Sequence, residues 1–174
     1  MINKEPVKPI RRRRRSLTNA NDSTEEQPKP VREDLRMKIT IHRGTHQIGG
    51  CVTEYESNGW KLFVDYGEEL QGGPKSGTLK VEGLTHGDLS KSALLITHYH
   101  SDHIGCITQL PEELPIYMSE MGREIQLVLS DHLKSVNNVQ QKMLDRLQTV
   151  KTFKPGIEFS VGPFKIRPIA HFAG

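Results

Sequence analysis

The chain has 174 residues, with 24 Lys+Arg against 21 Asp+Glu and a formal net charge of +3. Residues 1–36 carry 10 basic and 6 acidic side chains, a net +4, which leaves 14 and 15, a net −1, for residues 37–174. The basic character thus belongs to the N-terminal stretch. No apolar run approaches the ~20 residues of a membrane span, and Met1–Ile10 does not precede the apolar core of a secretory signal.

Two cysteines, Cys51 and Cys106, make no disulfide framework, so a reducing cytoplasm is the default compartment. Residues 1–36 are rich in Pro, Asn, Ser, Glu and Arg with no periodic apolar face, which predicts a disordered basic tail. Arg11 to Arg15 form an unbroken basic block. Such a block contacts RNA or DNA phosphates, or is a solvated arm with no dedicated partner.

The folded domain is expected over 37–174. Ile39 and Ile41 alternate with Thr40 and His42, which predicts a strand. The loop Gly44 to Gly50 follows, then a second strand over Cys51–Glu56. Asn58-Gly59 is a two-residue hairpin signal, with Trp60–Val64 pairing back as the third strand. Asp65 and Gly67 sit at its carboxyl end. Residues 68–92 read as a long loop, of the kind that is functional or mobile in compact domains. His42, His46 and His86 are assigned no role, because lone loop histidines are usually solvated.

Ala93–Leu94–Leu95–Ile96 is a short, wholly apolar run, the pattern of a strand covered on both faces. His98, His100, Asp102 and His103 follow at once, four metal-ligand types within six residues. In open α/β sheets ligands bind beyond the carboxyl ends of strands, where this cluster begins. An extended chain puts His98, His100 and Asp102 on one side, whereas a helical turn pairs His98 with Asp102 and His100 with His103. A loop turning into a helix can therefore serve two neighbouring metals, one held by the early histidines and one by Asp102 and His103. Imidazole and carboxylate suit Zn²⁺, with Mn²⁺ or Fe²⁺ as alternatives. The competing reading, four polar residues on a solvated loop, is disfavoured by the density of ligand types.

The run H-Y-H-S-D-H at 98–103 resembles the signature of the metallo-β-lactamase superfamily, mostly binuclear zinc hydrolases with an αββα sandwich. The I-G-G before the second strand and F-V-D-Y-G ending the third also look like that superfamily's opening, in particular its ribonuclease J-like, β-CASP-type branch. The resemblance implies metal-assisted hydrolysis. It makes Asp65 a support for the metal loops, the alternative being an ordinary strand-end turn residue. Asp102 becomes the carboxylate that orients the attacking water. Cys106 adjoins the cluster, but a small buried hydrophobe is the better assignment than a ligand.

Ile107 to Leu110 continues into a short helix ending near Pro111, and Pro115–Met118 reads as a brief strand. Ser119 is placed to cap a helix in which Met121, Ile125, Leu129 and Leu133 recur every four residues, a stripe expected to face the core. Val139, Met143 and Leu147, then Val150, repeat the pattern in a second helix, and His132 is taken as structural or exposed. Phe159 and Val161, a Gly162-Pro163 turn, and Phe164 and Ile166 form a hairpin that runs into His171. In the superfamily a third histidine ligand sits at such a strand end, which His171 matches by position. The ligand set implied is then His98, His100, Asp102, His103 and His171, holding one or two zinc ions.

The fold class expected is α/β: a metallo-β-lactamase-like αββα sandwich, here about its first half, as a mixed sheet with helices on one face. The superfamily's later aspartate and histidine ligands have no counterpart before Gly174, so an oligomer or a complementing second half enters as a partner. The function expected is zinc-dependent hydrolysis of a phosphodiester, RNA before DNA, in the cytoplasm without a membrane. The alternatives are a hydrolase of small thioesters or lactones, and a truncated, inactive fragment that only binds metal or a partner.

Overall fold

The computed structural model describes residues 36–70, 79–133 and 138–170. The basic block at Arg11–Arg15 and the expected ligand His171 lie outside these residues. Alternating apolar and polar residues give β1 (Lys38–Arg43), and β2 (Val52–Ser57) and β3 (Trp60–Val64) form a hairpin beside it. The hairpin turns on Asn58 and Gly59, whose φ angles of 51° and 71° are the left-handed pair that a two-residue turn demands. The chain then crosses over to β4 (Ser92–Leu95), parallel to β3, and adds β5 (Ile116–Ser119) and β6 (Lys151–Phe153) in the same direction. The six strands lie in sequence order, antiparallel from β1 to β3 and parallel from β3 to β6. Three helices, α1 (Ser101–Ile104), α2 (Glu120–Leu133) and α3 (Asn138–Thr149), and a 3₁₀ turn at Ile107–Gln109 complete the α/β layer. No helix among the described residues is long and apolar enough to cross a membrane.

Register assigns each face. One row runs Ile39, Tyr55, Leu62, Ala93, and the next runs Thr40, Glu54, Phe63, Leu94, Ile116. The second row belongs to the larger core, where Phe63, Leu94, Ile96 and Ile116 pack with Ile104, Ile107, Met143 and Leu147. The first row packs against a separate two-stranded sheet, β7 (Phe159–Val161) and β8 (Phe164–Ile166), through Leu62, Ala93, Val161 and Phe164. β4 is therefore covered on both sides, as its unbroken apolar run requires. The helices do keep to one face, while the other carries this small sheet.

Two expectations need correcting. Residues 79–91 are not merely a connecting loop: Val81 and Leu84 are buried in the larger core, and Thr85 closes a turn back onto Val81. The α2 stripe does not face the core either. Met121 is 71% exposed, Leu129 43% and Leu133 44%, whereas the buried residues of α2 are Gly122 and Ser130. The cause is how tightly the helix enters. Ser119 Oγ accepts the Gly122 N–H at 3.1 Å, and a Cβ at Gly122 would lie 2.8 Å from that hydroxyl and 3.2 Å from the Met118 methyl. Close approach selects the small-residue face, and the apolar stripe one residue along is rotated away by about 100°. In α3, by contrast, Met143 and Leu147 are buried, as is Val150 just after it.

Candidate metal centre

The carboxyl ends of β3 and β4 deliver adjacent segments, 65–70 and 97–103, to one edge of the sheet. Ile96, the residue after β4, is fully buried, so Thr97 begins the first residues free of the core. His98, His100 and Asp102 each offer one ligand atom, and these atoms lie within 4.8 Å of one another. Ligands at ~2.1 Å from a tetrahedral ion stand about 3.4 Å apart, so the set needs to draw in by up to about 1.4 Å. The rings already crowd: His98 and His100 centroids are 4.8 Å apart, edge to face, and His98 and His103 are 3.8 Å apart.

His103 stands beside this triad, and its two ring nitrogens have separate tasks. Nδ1 is 2.7 Å from Asp65 Oδ2, a carboxylate that can only accept, which assigns the proton to Nδ1. The Nε2 lone pair then points at Asp102 Oδ2, 3.3 Å away. Two acceptors facing one another are repulsive unless a cation or a proton lies between them. That donor set, with a histidine oriented by a second carboxylate, fits a metal ion.

Asp65 is 5% exposed and adopts φ 61°, a left-handed backbone that Asp tolerates better than most residues. Oδ1 accepts the Thr97 N–H at 2.8 Å, and the Thr97 hydroxyl lies 3.0 and 2.8 Å from the two carboxylate oxygens. The same hydroxyl is 3.1 Å from His98 Nδ1, which leaves His98 Nε2 free for a ligand bond. Burial, then the neighbouring His103 and His100, hold the His98 imidazole below its usual pKa and so favour the neutral form a metal needs. Asp65 thus acts on two histidines, one directly and one through Thr97.

Asp102 is gripped through its backbone. Its carbonyl accepts the Gly50 N–H at 3.0 Å, and a Cβ at Gly67 would fall 1.9 Å from its carbonyl carbon. Only glycine permits that approach. Tyr66 N–H and Glu68 N–H donate to the carbonyls of His103 and Ser101 at 2.8 and 2.9 Å. On the other flank Gln126 of α2 donates its amide to the Tyr99 carbonyl.

The structure therefore brings together His98, His100, Asp102 and His103. Thr97 and Gln126 escape sequence reasoning because neither is a ligand type and neither breaks a pattern. Of the other histidines, His42 sits 2.5 Å from the buried carboxylate of Glu54, and His86 Nδ1 is 3.2 Å from the Thr85 hydroxyl. Cys106 is half-buried against the larger core, and burial pushes its thiol pKa up.

No family model matches the sequence, and no curated protein does. Among solved structures, the chain is similar to a protein of unknown function from Enterococcus faecalis V583. That likeness has a TM-score of 0.52 and 20% identity, over 73% of this chain and 36% of that one. It is also similar to a structure titled "putative metallo-beta-lactamase" from Thermotoga maritima, with TM-score 0.46 and 13% identity over 71% of this chain and 62% of that one. The chain thus spans about a third and about three-fifths of these two neighbours. The first likeness concerns the fold alone, and at its TM-score the second carries no further inference.

Proposed function

We propose that this chain carries the metal site of a metallo-β-lactamase-type hydrolase, with Zn²⁺ as its ion. The observation that carries the reading is the His98, His100 and Asp102 set, converging within 4.8 Å at the end of a parallel strand. The resemblance of H-Y-H-S-D-H to the superfamily signature supports it, as does His103, locked by Asp65 with its free nitrogen towards Asp102.

When bound, the ion would supply Lewis acidity and activate water near neutral pH. The rest falls to the protein. His98 and His100 are neutral donors. Asp102 orients the attacking water and accepts its proton. Asp65 fixes the tautomer of His103 and, through Thr97, the ring of His98. His171 stands as a further ligand by its sequence position. A phosphodiester, RNA before DNA, is the preferred substrate class, because Arg11–Arg15 adds a phosphate-binding charge to a nearly neutral body.

The test loads the full chain with zinc and compares cleavage of a labelled RNA, a generic phosphodiester, a thioester and a lactone. Cleavage of RNA that is lost in His98→Ala and in Asp102→Asn supports the reading. Thioester or lactone turnover without RNA cleavage replaces the substrate class. Absence of zinc binding overturns the site itself.

A further inference from the structure

Arg43 closes β1, beyond a register irregularity between Ile41 and Arg43. Simple alternation would place Arg43 on the same face as Ile41, whose side chain is exposed beside the row of Leu62 and Ala93. The extra residue instead pairs Arg43 with Val52, a member of the larger core, and turns its side chain towards the face of the metal loop. There the guanidinium is largely enclosed, with its side chain 10% exposed. Nε donates to the Gly50 carbonyl at 2.6 Å and Nη2 to the Gly67 carbonyl at 2.7 Å. Nη1 lies 3.7 Å from Glu69 Oε1, and the fork sits 5.6 Å above the centre of the Tyr66 ring.

Gly50 and Gly67 are the two glycines that grip Asp102, one by its N–H and the other by close backbone approach. They come from different loops, 44–50 and 65–70, which are also joined by the Gly49–Glu69 bridge and the Leu70 N–H to Ile48 carbonyl bond. We infer that Arg43 is a positioning residue for the metal loop. It holds Gly50 against Gly67 so that Asp102 is presented at a fixed depth beside His98 and His100. The inference rests on the metal reading above. The role suits arginine and not lysine, because two divergent N–H groups of one rigid plane are needed to reach two carbonyls at once.

The test uses the full chain and needs no substrate. Zinc affinity is measured by competition with a chromogenic chelator, and ligand geometry by the visible absorption of the Co²⁺-loaded protein. The variants are Arg43→Lys, which keeps the charge and loses the fork, and Leu147→Ala, which weakens the core far along α3. Expected for Arg43→Lys is zinc bound at least about tenfold more weakly, the scale for losing a support behind a ligand, with an altered Co²⁺ spectrum. Leu147→Ala should keep both at wild-type values despite a lower melting point. Should Arg43→Lys fail to fold, Arg43→Gln, which can still donate to one carbonyl, takes its place. Wild-type affinity and spectrum in the Arg43 variant would overturn the positioning role, and so would equal weakening in Leu147→Ala. A wild-type protein that binds no metal would instead refute the metal reading on which the inference stands.

Discussion

Replacing Asp65 by asparagine separates its two roles, because asparagine keeps the shape and tolerates φ 61° while exchanging one acceptor oxygen for a donor. The Thr97 N–H at 2.8 Å needs an acceptor, so the amide oxygen should stay at that position. The NH₂ then faces His103 Nδ1 and forces the ring proton over to Nε2, where Asp102 Oδ2 waits 3.3 Å away. One charge-assisted bond becomes a neutral one, a loss of about 1 kcal/mol. The His103 lone pair leaves the site, and a proton competes for the Asp102 oxygen. Loss of such an outer partner typically weakens metal binding about 10–100-fold. Asp65→Ala should behave differently. It strands the Thr97 N–H, at about 1–3 kcal/mol, and puts a Cβ without a polar tip into left-handed backbone, at about 1–2 kcal/mol. Urea unfolding with and without saturating zinc reads both terms, since each tenfold loss of affinity removes about 1.4 kcal/mol of metal-dependent stability. Wild-type zinc affinity in Asp65→Asn, or equal destabilisation by the two substitutions, would refute the tautomer argument.

Other outcomes are open to direct measurement. His98→Ala or His100→Ala should leave no zinc after exhaustive dialysis and little change in the apo melting point, since both rings lie outside the core; retained zinc by atomic absorption would count against the ligand set. Gly67→Ala should fail to fold or lose more than about 3 kcal/mol, beyond ordinary overpacking, because its Cβ would fall 1.9–2.2 Å from the Asp102–His103 backbone; a near-native melt would show that the two segments can part. Met121→Lys and Leu129→Lys should change stability by no more than about 0.5 kcal/mol, while Leu147→Ala costs about 2–5 kcal/mol; the reverse order in urea melts would place the α2 stripe inside. Cys106 should react slowly with iodoacetamide at pH 8, because burial raises its pKa and keeps it thiol; the rate should climb as the pH rises, and fast labelling at pH 7 would contradict that environment.

Much of the first half of the fold was legible because its signals are local. Alternation in β1, Asn58-Gly59 at the turn and the apolar run of β4 each name one structure regardless of what packs against them. The ligand cluster was legible for the same reason, since three of its members lie within five residues. What escaped depends on distant partners. The face that α2 buries is decided by how closely Gly122 must approach β5, and no periodicity within the helix records that distance. β6 has only Lys-Thr-Phe to announce it, a strand defined by the open edge of β5 and not by its own sequence. Asp65 could be suspected from its strand end, but its grip on His103 spans 38 residues and depends on the crossover that brings β4 beside β3.

The irregularity between Ile41 and Arg43 makes the number of residues in β1 matter as much as their identity. Straightening the strand at its present length would put Arg43 on the same side as Ile41 and away from the metal loop, whereas deleting His42 would remove the extra residue and leave Ile41 opposite Thr53 and Arg43 opposite Val52. A library of point variants would score this strand as permissive at Ile39, which is 58% exposed. A library of single-residue deletions should find that loss of His42 keeps Arg43 on its present side. A strand one residue shorter is therefore compatible with the same placement of Arg43, provided that the irregularity is lost with the residue.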